Sequence, residues 1–303
     1  MQRLCSIQML RGVAACAVVV CHALDWDLGA AGVDVFFVIS GFIIGQVMGR
    51  RAPAAFLADR LWRIFPIYWI CALPWFFVAV YTGQLETGRT LTSLTLWPIY
   101  GEFAQPYLRP AWSLCFELLF YVSVTVALAT GKGRWLIAAF AVAFTVNIIA
   151  PSPLAGFLGY PLIFNFLIGL MIGKVPSSER AALPIIGVAL LVMALSPAAL
   201  FHHNADGVSN WIALYRLLWW TLPSAMLVYG ALSLERLATW RVPILIGNAS
   251  YSIYLTHLLA LAFLDGWIAV LAAVALGLLV HVAAERPILS WRKRSFVATA
   301  QPV

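Results

Sequence analysis

The sequence predicts an all-α, polytopic integral membrane bundle of about ten transmembrane helices, and three observations carry that reading. Hydrophobic residues make up 63% of the 303 and charged residues only 10%. Mean hydropathy is +0.93, far outside the range of a soluble globular domain. Apolar runs close to the length that crosses about 30 Å of hydrocarbon recur along nearly the whole chain, which leaves little room for a separate soluble domain. Residues 1–290 therefore read as one membrane domain and 291–303 as a short cytosolic tail.

The first run, 7–24, carries Arg11 in its interior and lacks a convincing small-residue cleavage site. It is expected to be a retained helix rather than a signal peptide. The second run, 32–48, opens with Asp34. Residues 53–65 read as an amphipathic stretch at the cytosolic interface, ahead of a third helix at 65–82. The segment 83–110 is the longest non-helical stretch; its Trp97, Tyr100, Phe103 and Tyr107 are expected to pack on the bundle. Seven more runs follow at 112–130, 134–150, 155–173, 182–201, 210–234, 242–264 and 266–284, between charged or Pro/Gly-rich breaks.

Charge sets the orientation. With a cytosolic N-terminus, 15 of the 19 Lys and Arg residues, from Arg3 to Arg294, fall inside. Only Arg89 and Arg109 fall outside, and Arg11 and Arg216 lie within helices. The positive-inside rule then places both termini in the cytosol, the loops 83–110 and 201–210 outside, and the protein in the inner (cytoplasmic) membrane. The net charge of +7 comes from helix ends and short loops, where it meets anionic headgroups of the lipid bilayer, and no nucleic acid is expected as a partner. Trp112, Trp135, Trp211, Trp240, Trp267 and Trp291 sit at helix ends as interfacial anchors. No internal repeat of the transporter kind is visible. Cys5, Cys16, Cys21, Cys71 and Cys115 show no metal-ligand spacing and read as packing residues. The tract with His202, His203, Asn204 and Asp206 is too weak to define a metal site, and none is expected.

An ionisable side chain near the bilayer centre costs roughly 2.5–3.5 kcal/mol, so each one is a candidate functional residue. Arg11 and His22 lie on the first helix, Asp34 on the second, Glu117 on the fourth, Arg216 on the eighth, His257 on the ninth and His281 on the tenth. Eleven positions separate Arg11 from His22, which returns them to one helix face about 16 Å apart along the axis. Glu117 and Arg216 can equally be a structural pair. His22, with an unperturbed pKa of about 6.5, can act as a base near neutral pH, with Asp25 or Asp34 orienting its ring. Arg60 and Arg63 share a face of the amphipathic stretch. Their bland role is anchoring, with Asp59 and Arg63 as an i,i+4 pair; their sharper role is an anion site.

Specific strings then carry a family resemblance. LRGVAACAVVVCH, with Arg11 and His22, is followed by GVDVFFVISGFII from Gly32, RLWRIFPIYW from Arg60, WSLCFELLFY from Trp112 and SYSIYLTH from Ser250, with ERP from Glu285 closing the last helix. In that order, over essentially the whole chain, they resemble the membrane-bound acyltransferase 3 family. The resemblance implies acyl-CoA, acetyl-CoA in the first instance, as a co-substrate, with no permanently bound cofactor. It implies O-acylation of an extracytoplasmic glycan or glycolipid. Arg11 and His22 match the family's Arg-x10-His motif, and Arg60 with Arg63 its Arg-x-x-Arg motif. This makes His22 the expected base, Arg11, Arg60 and Arg63 the expected donor-binding residues, and Asp34, Asp25 and Glu117 further catalytic candidates. Arg216, Tyr251, His257 and Glu285 remain additional candidates. Some family members carry a fused soluble domain; this chain is expected to complete the reaction alone or with a separate partner. The rival readings are a carrier or flippase for a glycan precursor and a sensor that has lost its chemistry. Nothing in the sequence assigns an oligomeric state.

Overall fold

Apolar runs become helices wherever they are described, but the helices are not all of spanning length. A computed structural model describes residues 4–100, 102–203, 212 and 215–299. Among these, six segments are long and apolar enough to cross a membrane, and a bent pair makes a seventh. The long ones are α1 (Cys5–Leu24), a 3-10 turn running into α2 (Gly32–Val47), α3 (Pro53–Tyr81), α5 (Trp112–Thr130) with the turn before it, α7 with α8 (Pro153–Leu158 and Leu162–Ile172), and α14 (Gly266–Val280) continuing towards α15 (Arg286–Thr299). The bent pair is α12 (Arg241–Asn248) and α13 (Ser250–Leu261), turned by 73° at Ala249. α6 (Trp135–Ile149), α9 (Glu179–Ala194) and α11 (Leu222–Ser233) are shorter. The chain is thus an all-helical polytopic membrane bundle. Arg3, Asn204, Asp206 and Trp211 lie outside the described residues, as do the side chains of His202 and His203.

Two segments depart from the sequence reading. The amphipathic stretch at 53–65 is no separate element: α3 runs unbroken for 29 residues, about 44 Å at 1.5 Å per residue. It outreaches the hydrocarbon core even though Pro66 and Pro74 each remove a backbone donor. The segment 83–110 is partly ordered as α4 (Thr87–Thr95) and a two-stranded hairpin, β1 (Ile99–Tyr100) and β2 (Glu102–Phe103). It packs on the bundle through Trp97, against Phe157, and Tyr107, against Phe76, while the side chains of Tyr100 and Phe103 lie outside the described residues; the Tyr68 hydroxyl donates to the Ser93 carbonyl at 2.8 Å and the Tyr107 N–H to Ser93 Oγ at 2.9 Å. Trp135, Trp240, Trp267 and Trp291 are exposed as anchors, whereas Trp112 turns inward against Phe116 and Tyr160.

Lipid offers helices no hydrophobic reason to associate, so close backbone approach through small residues does that work. α2 and α8 meet at Gly41 and Gly169: a Cβ on Gly41 would lie 2.1 Å from the Phe166 carbonyl oxygen, and one on Gly169 2.2 Å from that of Val38. α1 and α12 meet the same way, since a Cβ on Gly247 would lie 1.7 Å from the Gln8 carbonyl oxygen. The start of α1 is sealed by Glu235, whose carboxylate accepts from the Cys5 N–H at 2.7 Å and the Ser6 N–H at 3.0 Å. An acceptor anion is favoured there because the first turn of a helix has unpaired N–H groups. That end of the bundle, which also holds Arg51, Arg60, Arg63 and Arg292, is called the basic side below; the end of α1 and the start of α2 and α5 define the far side.

These contacts predict opposite outcomes for two glycine substitutions. Gly41→Ala must force α2 and α8 apart and should lower the melting temperature in detergent by several degrees. Gly187→Ala in α9, where a Cβ would meet nothing within 4 Å, should be neutral or stabilising by up to about 1 kcal/mol. Thermal unfolding of the two purified variants checks this; equal behaviour would show that the α2–α8 approach is not tight.

Candidate active site

One helix carries both ends of the site. Arg11, in the second turn of α1, lines a cavity with roughly 730 Å³ of empty space, counting its mouth. The wall of that cavity runs along α2 from Val33 to Ile43 and along α5 from Ser113 to Tyr121, each a rise of about 12–15 Å. Arg60 and Arg63 on α3 complete the basic end, and Ser250, Tyr251 and Tyr254 on α13 form another side. The break at Ala249 explains this position: it lets α13 begin at the depth of Arg11, whose Nε donates to Ser250 Oγ at 3.1 Å. The Tyr251 hydroxyl donates to the Ile64 carbonyl at 2.9 Å, tying α13 to α3 just before Pro66.

Three guanidinium groups and one carboxylate thus share one cavity. Glu117 accepts from the Tyr121 hydroxyl one turn along α5 and has a long contact of 3.4 Å with Ser40 Oγ. Arg60 lies with Cζ 5.8 Å over the Phe56 ring, and its Nε is buried without a hydrogen-bond partner. Arg63 is exposed. The i,i+4 pair of Asp59 with Arg63 is not formed, because Asp59 is taken by Arg51 and by Arg292, whose Nη2 lies 2.6 Å from Oδ1. Arg60 and Arg63 are left to the cavity, and a set of guanidinium donors facing open space suits a multiply charged anion such as a phosphate ester.

His22 does not line this cavity. It is exposed near the far side, and its ring stacks on that of the fully buried His257 with centroids 5.2 Å apart and planes at 19°. A file of rings joins the two places. Arg11 Cζ lies 5.9 Å from the Phe36 ring centre, Phe36 lies 6.0 Å from Tyr254, and Tyr254 lies 6.0 Å from His257. Tyr254 is held by its hydroxyl, which donates to the Pro110 carbonyl at 2.9 Å and lies 2.8 Å from Ser113 Oγ. Phe36 and Tyr254 therefore form a partition between the arginine cavity and the histidine pair, where the sequence suggested an open track.

The remaining candidates have other neighbours. Asp34 is fully buried and takes Arg216 on both oxygens, Nη2–Oδ2 at 2.8 Å and Nε–Oδ1 at 3.3 Å. Asn165 Nδ2 adds a donor to Asp34 Oδ1 at 3.0 Å, and the Thr221 hydroxyl donates to Asn165 Oδ1 at 2.7 Å. Arg216 thus pairs with Asp34 and not with Glu117. A π-helical turn, Leu217–Thr221, follows Arg216 directly, and a second one, His281–Glu285, brings His281 Nδ1 and Ser252 Oγ each to 2.7 Å from Glu285 Oε2. Asp25 is exposed and ends α1 in the left-handed region, φ 51°, which Asp tolerates better than most residues. Sequence reading passed over Tyr254 and Phe36, although both lie in the quoted blocks, and Asn165 and Thr221. The polar Asn165 inside the run LIFNFLIGLMI is the one signal that marks the last network.

The fold and the cavity define a membrane-embedded helical protein with an arginine-lined chamber inside the bundle. A family model described as an acyltransferase domain matches residues 6–285. The chain belongs to this acyltransferase family and is a membrane enzyme of that class. Among curated relatives it is similar to "Exopolysaccharide production protein ExoZ" of Rhizobium meliloti (strain 1021), 33% identical over 298 residues that cover 87% of this chain and 90% of that protein. It is also similar to "Nodulation protein 10" of Rhizobium leguminosarum bv. viciae, 29% identical over 168 residues, 43% of this chain and 45% of that protein. No solved structure matches the chain significantly.

The Asp34 network predicts a structural phenotype. Asp34→Ala leaves the Arg216 guanidinium buried without its anion, and breaking such a pair costs about 3–5 kcal/mol. The variant should show a marked loss of folded protein on detergent size-exclusion chromatography. A well-folded Asp34→Ala protein with wild-type melting would show that the pair does not hold α2 to the helix bearing Arg216.

Proposed function

We propose that this protein is a transmembrane O-acyltransferase that moves an acyl group, acetyl in the first instance, from cytosolic acyl-CoA to a hydroxyl of an extracytoplasmic carbohydrate. The observation that carries this reading is the placement of Arg11, Arg60 and Arg63 in one cavity that the rings of Phe36, Tyr254 and His257 connect to His22. The basic side is the cytosolic side, both termini lie there, and all ten apolar runs cross the membrane, the shorter ones with local thinning of the bilayer. The nucleotide phosphates are held by Arg60 and Arg63, while the pantetheine arm passes Arg11 and carries the thioester past Phe36 and Tyr254. The printed name of the Rhizobium meliloti relative concerns exopolysaccharide production, which supports a surface polysaccharide unit as the acceptor.

The chemistry is one displacement. The sugar oxygen attacks the thioester carbonyl carbon as His22 takes the hydroxyl proton; the C–S bond breaks, and the coenzyme A thiolate takes that proton back, leaving an ester and a free thiol. Base catalysis of this kind is worth about 10²–10⁴-fold. Asp34 contributes by holding the frame, and Glu117 with Tyr121 sets the polarity of the cavity wall.

Purified protein in detergent, given [14C]acetyl-CoA and base-deacylated surface polysaccharide from the expressing strain, should label the polysaccharide. His22→Ala should abolish that label at near-normal protein levels, and His22→Gln should not restore it, because an amide takes up no proton. Full activity in His22→Ala would sink the assignment, and movement of label across vesicles without covalent change would favour a carrier. Arg60→Ala with Arg63→Ala should raise the KM for acetyl-CoA by about tenfold or more, as loss of charge-assisted contacts to phosphate requires, with Lys at either site a partial replacement. An unchanged donor KM in the folded double variant would return these residues to an anchoring role. Terminal reporter fusions test the orientation, and an external C-terminus would overturn it.

A further inference from the structure

Reading His22 as a base leaves open what orients its ring. Both oxygens of Asp34 are committed to Arg216, and Asp25 is an exposed helix stop. A group that does lie against the His22 ring is His257, on α13. His257 Nδ1 lies 2.7 Å from the Tyr254 carbonyl oxygen. A carbonyl only accepts, so Nδ1 carries the hydrogen, and a neutral imidazole then has its lone pair on Nε2. That Nε2 is buried and has no hydrogen-bond partner. Buried acceptors are almost always paired, and α1, α13 and α14 pack beside this part of α13 through Ala15, Val19, Ile253, Ala260, Val270 and Ala273.

We propose that His257 is the positioning residue of His22: its buried Nε2 accepts a ring N–H of His22 as His22 takes the proton of the acceptor hydroxyl. The inference rests on the acyl-transfer reading above. With centroids 5.2 Å apart the two rings are in contact but stacked, a geometry in which neither nitrogen points at the other. His22 is exposed, whereas His257 is fully buried and pinned through Nδ1. A tilt of the His22 ring would satisfy the unpaired Nε2 of His257 and fix which His22 nitrogen faces the sugar. A neutral acceptor does this without placing a further carboxylate in an apolar wall, where an unpaired anion is costly.

The test uses the full chain and the labelled acetyl-CoA and polysaccharide assay. His257→Phe keeps a ring for stacking but removes the acceptor; it should lower kcat about tenfold or more while the KM for acetyl-CoA stays as in the wild type. His257→Gln, whose amide oxygen accepts a hydrogen bond, should recover part of that loss. Ring-15N histidine spectra of the wild type should show His257 with its proton on Nδ1, a readout that needs no substrate and no variant. Wild-type kcat in a folded His257→Phe protein, a Gln variant no better than Phe, or a proton on Nε2 would each overturn the proposal. If the Phe variant does not fold, the tautomer decides. A wild type that transfers no label would instead defeat the acyltransfer reading itself, so the two failures are distinguishable.

Discussion

The rest of the bundle hangs on one buried ion pair. Asp34 and Arg216 meet where water cannot reach either of them, with Asn165 and Thr221 completing the polar shell. A lone charge there would be expelled by lipid or would pull water in; paired, the two groups lock α2, α8 and the turn after Arg216 into one arrangement. α2 then presents Phe36, Phe37 and Ser40 to the cavity on its other face. The Gly41–Gly169 approach brings the same two helices to backbone contact, and the stack of Phe120 on Phe166, 4.2 Å between centroids, carries that fixed surface to α5.

Around this frame, irregular backbone occurs where function needs polar groups inside the membrane. The break at Ala249, the prolines of α3 and the two π turns all lie beside cavity or network residues, and each frees backbone groups that lipid cannot satisfy. The Tyr251 hydroxyl on the Ile64 carbonyl ties the start of α13, just past the break, to the continuous α3 at the height of Arg11. Straight helices alone would not bring Ser250, Ile64 and Arg11 to one level.

Much of this was legible in the sequence. Hydropathy located the helical runs because lipid leaves few other options for a backbone, and the spacing of Arg11 and His22 on one helix placed them on one side of it. The Arg60 and Arg63 pair was visible as a local pattern. What could not be read were partners remote in sequence. Asp34 and Arg216 lie 182 residues apart, and Glu117 was an equally good partner for Arg216 by charge alone. The break at Ala249 was passed over although Gly247, Asn248 and Ser250 beside it are turn-forming residues, because the flanking runs together have the length of one span. His257 was visible only as an ionisable residue at a plausible depth, since its tautomer is decided by a backbone carbonyl three positions away.

The ring partition of Phe36 and Tyr254 has an electrical consequence. On the reading that a wet chamber reaches in from the basic side, Phe36, Tyr254 and the buried His257 stand between it and the exposed His22. The transmembrane voltage does not fall evenly over 30 Å there; most of it drops across whatever is dry. On the proposed reaction these rings would insulate as well as divide: any opening wide enough for a thioester would have to be filled by that thioester as it forms, or ions would leak through the same gap.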